Sequence, residues 1–391
     1  MALRTLCILG TRPDAIKMAP VVKNLDAASS VFNQICVTGQ HQQMLDSVLN
    51  LFDIVPHFSL SVMVNNQNLS ELSAKILVGL NDVFRQSRPD VVLVHGDTTT
   101  CVMGALAAHY ARVPVAHVEA GLRTGDMYFP WPEEMNRKLT DALSTLHFAP
   151  TANSRLNLLK EGFSSDSIYV TGNTVIDALF YVIEKLERDT DLLQQMKKQF
   201  SFLIPSRKML LVTGHRRESF GDGFERICQA LARIALKYKD IDIVYPVHLN
   251  PNVQEPVKRI LGSVSNIYLI EPVDYMPFVY LMKACYFILT DSGGVQEEAP
   301  SLGKPVLVMR DKTERPEALE AGVVRLVGTS VKSITAAAEE LLENEALYQK
   351  MSISLNPYGD GQASKRILNL ITQKVISQGV ESTAVVEEDI T

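Results

Sequence analysis

Thr290–Asp291–Ser292–Gly293–Gly294 follows the apolar run Tyr286–Leu289 and leads into a helical stretch, Val295–Leu302. A buried strand that ends in small residues and two glycines, then opens a helix, is the turn of a βα unit. Its backbone N–H groups converge on one point, and the positive end of the helix dipole aims there too, so the point suits an anion. Glu297 and Glu298 follow at once. A carboxylate beside a phosphate site makes electrostatic sense when it binds hydroxyls, such as those of a ribose. The stretch reads as a nucleotide-diphosphate site, or else as ordinary βα-loop chemistry with no ligand.

Outward from that turn the same rhythm repeats. Thr5–Leu9, Gln34–Thr38, Val91–His95, Val113–Glu119, Thr145–Ala149 and Ile168–Thr171 are short β-rich runs of the kind that parallel strands bury on both faces. Helical stretches such as Leu69–Arg85, Thr99–Ala111 and Ser154–Glu161 separate them. A long helical segment, Val175–Lys198, interrupts the alternation, and Pro205 marks a loop. The alternation restarts with Met209–Thr213, Ile241–Val247, Ile267–Ile270, Phe287–Thr290 and Val306–Met309. The pattern predicts an α/β protein of two doubly wound, Rossmann-like domains facing a cleft. The expected spans are residues 1–172, residues 173–361, a helix over 362–377 that packs back on the first domain, and a disordered polar tail over 378–391.

Composition narrows the function classes. A chain of 391 residues, 46% hydrophobic and 21% charged, has the length of two ordinary globular domains. A net charge of -6 argues against a general nucleic-acid or membrane-surface role. No apolar run is long enough to span a bilayer, and Met1–Leu9 leads directly into a strand, so a cytoplasmic location is expected. Cys7, Cys36, Cys101, Cys228 and Cys285 are widely spaced and show no metal or redox motif, which suits reduced core residues. Neither G-x-G-x-x-G nor G-x-x-x-x-G-K-[ST] follows any strand, so no dinucleotide cofactor and no metal site is expected.

Polar residues gather at the strand ends. Arg12, in Gly10–Thr11–Arg12–Pro13–Asp14, reads as a bidentate phosphate partner in the cleft or as a solvated helix-start charge, and Lys17 lies one turn on. Asp97, in His95–Gly96–Asp97–Thr98, reads as a helix N-cap or as a cleft acid. Glu119 closes an apolar strand and needs a partner, for which Arg123 is one candidate. Glu133 and Glu134 follow the rigid turn Pro130–Trp131–Pro132 and read as reacting acids or as dipole partners. His215, in Gly214–His215–Arg216–Arg217–Glu218, is expected to face Arg12 across the cleft. Three acids, a histidine and an arginine beside a nucleotide site look like a reaction centre.

Taken in order, these motifs resemble the bacterial non-hydrolysing UDP-N-acetylglucosamine 2-epimerases. The resemblance rests on Gly10–Pro13, Lys17, His95–Thr100, His117–Arg123, Pro132–Glu134, Gly172–Asp177, Thr213–Arg216 and Asp291–Glu298, and it runs on to Asn356–Gln362. It implies the two-domain glycosyltransferase-B architecture and no cofactor. It also implies roles. Asp97, Glu119 and Glu133 match the family's catalytic carboxylates, and His215 its catalytic histidine beside the diphosphate. Arg12, Ser292, Gly293, Gly294 and Arg315 match phosphate contacts, Glu298 the ribose contact, and Lys17 a lysine near the active site. Phe278 matches a residue lining the uracil pocket; Val273 stands where Gln is common, a contact the backbone is able to make, and Asp14 stands where Glu is usual. Gln40, Gln43, Arg216 and His248 match a second, allosteric UDP-N-acetylglucosamine pocket. A homodimer is the family expectation.

The chemistry this resemblance implies uses no nicotinamide. The C2 proton of the sugar is not next to a carbonyl, so a carboxylate cannot remove it directly. Departure of UDP from C1 first creates an oxocarbenium-like centre, which makes that proton labile. The expected intermediate is 2-acetamidoglucal with UDP still bound. Reprotonation on the opposite face and return of UDP give UDP-N-acetylmannosamine, which calls for more than one acid.

Overall fold

The computed structural model describes residues 2–39, 42–64, 67–313, 315–353 and 356–377. The tail expected over 378–391 lies outside the described residues, as does Gln40. The chain divides into two compact units, Met1–Ala178 with the segment from Gly359 onward, and Leu179–Tyr358. The division falls inside the helix Thr174–Arg188 rather than at residue 172, because that helix runs through it unbroken.

In the first unit β1 (Leu3–Leu9), β2 (Val31–Val37), β3 (Phe58–Ser59), β4 (Val91–His95), β5 (Val115–Val118), β6 (Leu146–Ala149) and β7 (Ile168–Val170) form one sheet of order β3-β2-β1-β4-β5-β6-β7. Every pairing in it is parallel. In the second unit β8 (Lys208–Thr213), β9 (Ile241–Pro246), β10 (Ile267–Ile270), β11 (Phe287–Thr290), β12 (Val306–Val308) and β13 (Val324–Leu326) form a parallel sheet of order β10-β9-β8-β11-β12-β13. Both orders reverse direction beside the first strand of the sheet, between β1 and β4 and between β8 and β11. At such a switch point the loops diverge above the strand ends and leave a crevice for ligands.

Burial on both faces explains the apolar runs. All five residues of β4 are buried, as are Met209–Val212 of β8. Helices cover both sheets through apolar stripes. Asp222–Lys237 turns Phe224, Ile227, Leu231 and Ile234 inward at helical spacing, and each is fully buried in the second unit's core. Burial of one such side chain contributes about 1.5–3 kcal/mol. In the first unit the C-terminal helix Ala363–Ser377 packs beside Arg12–Ala27, where Asn24 Nδ2 donates to Ser364 Oγ (2.8 Å). All five cysteines are free and buried, and burial pushes each thiol pKa up, so they are inert core residues.

The segment expected as one long helix, Val175–Lys198, is two helices, Thr174–Arg188 and Thr190–Gln199. Asp189 breaks it: its side chain accepts from the N–H groups of Asp191 and Leu192 and so caps a new helix. The helix expected over Val295–Leu302 begins two residues earlier, at Gly293, and after Glu298 tightens into a 3₁₀ turn, Ala299–Leu302, that contains Pro300. The edge strands β3 and β13 escape a sequence reading because they span only Phe58–Ser59 and Val324–Leu326.

Candidate active site

In the second unit the site is built on the loops after β8 and β11. Asp291, fully buried, accepts from the backbone N–H groups of His215 (2.7 Å) and Arg216 (2.8 Å) through Oδ2. Its Oδ1 lies 3.3 Å from His215 Nδ1. This carboxylate fixes the His215–Arg216 loop against the Ser292–Gly294 turn. Desolvation holds the His215 imidazole below its usual pKa, with Asp291 opposing and His248 and Arg216 adding to the shift. The His215 and His248 rings stack, centroids 5.5 Å apart.

Positive charge converges on Gly293. A β-carbon there would lie 3.5 Å from Arg315 Nη2 and 3.8 Å from Arg216 Nη2. Two guanidinium groups beside one backbone turn repel each other unless an anion joins them. The helix Gly293–Glu298 is short, so the arginines rather than its dipole carry the attraction. Arg315 is aimed by Glu297, whose Oε1 accepts from Nε at 2.5 Å. Ser292 N–H is already committed to Thr290 Oγ1 (2.9 Å). Glu298 is buried and accepts from the Tyr275 hydroxyl (2.6 Å). Tyr275 opens the helix Tyr275–Ala284 that also carries Phe278, half-buried, and Val273 lies two residues before it, half-buried too. The residues expected at the phosphates and the ribose within this unit therefore lie around one turn, and Tyr275 ties the helix that carries Phe278 to Glu298.

In the first unit the polar residues gather at the carboxyl ends of β1, β4 and β5. Glu119 pairs with Lys17, not with Arg123, and its Oε2 lies 3.4 Å from His95 Nε2. The other ring nitrogen of His95 lies 3.6 Å from Asp14 Oδ1. Glu119 adopts φ 70°, a left-handed conformation that a non-glycine residue takes at a cost of about 1–3 kcal/mol. Arg123 instead pairs with buried Asp141 (2.7 Å) and with Glu161 (2.7 Å). Lys17 is thus a partner of Glu119 rather than a solvated charge. Asp97 is not the helix N-cap; Thr98 is, accepting from Cys101 N–H. Asp97 is free for another role and is held by Arg137 (2.8 Å).

The two acids after Pro132 separate. Glu134 is buried and accepts from Thr124 N–H (3.1 Å), Gly125 N–H (3.2 Å) and Arg137 (2.9 Å), a structural task. Glu133 is half-buried at the start of the helix Glu133–Leu143. Arg12 is half-buried as the first residue of its helix, whose N-cap is Thr11. Gln43 falls in the helix Gln42–Leu51, Arg216 is on the Asp291-bound loop, and exposed His248 accepts from Asn250 N–H through Nδ1 (3.1 Å). Sequence reasoning gave no role to His95, Arg137, Tyr275 or Asp291. His95 and Asp291 had a signal, as polar residues closing or following apolar strands; Arg137 and Tyr275 had none.

The family model of UDP-N-acetylglucosamine 2-epimerase matches residues 23–372. A probable UDP-N-acetylglucosamine 2-epimerase of Ralstonia nicotianae is 60% identical over 94% of this chain and 98% of its own. The UDP-N-acetylglucosamine 2-epimerase of Escherichia coli K12 is 57% identical over 96% of this chain and 100% of its own. Among solved structures, the Neisseria meningitidis UDP-GlcNAc 2-epimerase bound to UDP-GlcNAc superposes with a TM-score of 0.89 at 50% identity, covering 95% of this chain and 100% of that one.

Proposed function

The chain belongs to the bacterial non-hydrolysing UDP-N-acetylglucosamine 2-epimerases, and on that premise we propose that it interconverts UDP-N-acetylglucosamine and UDP-N-acetylmannosamine by elimination and re-addition of UDP. The observation that carries this reading is the cationic turn at Gly293, with Arg216, Arg315 and His215 around it and Glu298 beside it. A reaction that begins with loss of UDP needs a clamp that stabilises the departing diphosphate and keeps it bound until it returns. Arg12 joins that clamp in this reading.

The C1–O bond to the diphosphate breaks and its electron pair leaves with UDP. One carboxylate of Asp97, Glu119 and Glu133 takes the C2 proton, whose bonding pair closes the C1–C2 double bond of 2-acetamidoglucal. A proton delivered to the other face of C2, with attack of the UDP oxygen on C1, gives the epimer. The acids also offset positive charge at the oxocarbenium-like transition state. The same reading makes the protein a cytoplasmic homodimer that supplies cell-surface polysaccharide synthesis. It also makes Gln40, Gln43, Arg216 and His248 an allosteric nucleotide-sugar pocket, supported by the stacking of His248 on His215.

Incubation with UDP-N-acetylglucosamine alone in deuterated water, followed by NMR, tests the proposal. Deuterium should enter C2 of both recovered nucleotide sugars. Epimerised product without deuterium would overturn the elimination mechanism. Accumulation of free sugar and UDP would point to a hydrolysing enzyme on the same architecture, and absence of any turnover to a transferase or a UDP-sugar sensor.

A further inference from the structure

We propose that His95, oriented by Asp14, is a positioning residue for Glu119, so that the reacting carboxylate is the end of an Asp14–His95–Glu119 chain. The proposal rests on the reading of Glu119 as a catalytic acid. The three residues come from three different βα units. Asp14 lies on the helix after β1, His95 is the last residue of β4, and Glu119 follows β5. Strand order β1-β4-β5 makes them neighbours at one sheet end.

A structural histidine would be satisfied. The His95 side chain is 3% exposed, yet among the described residues neither ring nitrogen has a hydrogen-bond partner. Each nitrogen faces a carboxylate oxygen just beyond hydrogen-bond range, Asp14 Oδ1 at 3.6 Å and Glu119 Oε2 at 3.4 Å. Buried polar atoms left this way are uncommon and cluster at working sites, and catalytic hydrogen bonds are often long before substrate binds. Asp14 itself cannot wander. Its Oδ2 accepts from Thr11 N–H (3.1 Å) and from the Thr98 hydroxyl (3.2 Å), which leaves Oδ1 for the imidazole.

Glu119 is constrained from the other side as well. Lys17 holds Oε1, and the left-handed backbone of Glu119 is kept by its own N–H donating to Phe148 O (3.1 Å). Gly96, next to His95, has φ 67°, and a β-carbon there would lie 3.3 Å from Glu119 Oε2. A side chain at that position would crowd the carboxylate. Lys17 supplies charge to one oxygen; His95 sets the direction of the other. When the sugar docks, Nε2 closes on Oε2 and fixes the carboxylate against the reacting carbon.

The test uses the full chain and the variants His95→Asn and His95→Gln. The amide nitrogen of Gln reaches the position of Nε2, whereas that of Asn reaches only the position of Nδ1. His95→Asn should lower kcat by roughly tenfold to a hundredfold, the worth of one hydrogen bond to a charged group, with KM and UDP affinity within about twofold of wild type. His95→Gln should recover a large part of kcat. Equal kcat in His95→Asn and wild type, or a rise in KM alone, would overturn the proposal. If His95→Asn fails to fold by thermal melting, His95→Gln decides: kcat retained while C2 exchange continues supports the proposal, and a loss as deep as that of Glu119→Gln overturns it. Failure of the parent reading is separate, because Glu119→Gln would then turn over near-normally, or wild type would show no C2 exchange at all.

Discussion

Asp291 and His215 are joined twice: the buried carboxylate accepts the His215 backbone N–H at 2.7 Å and lies 3.3 Å from its ring Nδ1. The imidazole that faces the proposed diphosphate is therefore fixed by a residue 76 positions away in sequence, on the loop of the neighbouring strand in the sheet. His215→Ala and Arg315→Ala should each weaken UDP binding roughly tenfold to a hundredfold, since a charge-assisted hydrogen bond to a desolvated phosphate is worth about 1.5–3 kcal/mol. Asp291→Ala should do likewise with the His215 and Arg315 side chains still present, because no acceptor then remains for the His215 and Arg216 backbone N–H groups. Calorimetry that finds unchanged UDP affinity in all three would place the phosphates elsewhere.

Turnover should depend on the three acids separately. Asp97→Asn, Glu119→Gln and Glu133→Gln keep shape, so folding survives. Each should cut kcat by at least roughly a hundredfold if it transfers a proton or offsets the cationic transition state. Near-normal turnover in one of them would assign that residue to structure, beside Glu134.

Acid should weaken the first unit through Asp141. Burial alone would raise this carboxyl, but the His117 imidazole and Arg123 outweigh it and hold the pKa below the ordinary value. A depressed carboxyl contributes stability that is complete above the unfolded-state pKa of about 4 and is lost as pH falls through the folded value. Asp141→Asn leaves Arg123 to Glu161 alone and takes the carboxylate from buried His117, and should cost about 1–3 kcal/mol at pH 7. Urea unfolding should show that gap narrow below about pH 4; a gap independent of pH would mean that the carboxyl charge is not what stabilises.

Gly10→Ala should destabilise the turn that carries Arg12. An added β-carbon would overlap Thr100 Oγ1 and come within 2.5 Å of its Cβ. Thr100 is buried and hydrogen-bonded to Thr38 Oγ1 at 2.8 Å, so it cannot rotate away freely. Overpacking of this kind costs about 1–3 kcal/mol. A change in unfolding free energy within about 0.5 kcal/mol would show that the turn yields.

The sequence by itself determined the architecture and the family. Parallel strands buried on both faces must be continuous apolar runs, so Val91–His95 and Phe287–Thr290 announce themselves, and the polar residues that follow them stand out as site candidates. The order of those motifs carries the family resemblance without any coordinates. Only the tertiary structure decided who partners whom. Glu119 takes Lys17, 102 residues away, and His95, while nearby Arg123 goes to Asp141. Thr98 rather than Asp97 caps the helix, which frees the acid for Arg137. The reason is physical: apolar periodicity is a local property readable along the chain, whereas ion-pair partners are set by the strand order β2-β1-β4-β5, which brings together loops far apart in sequence.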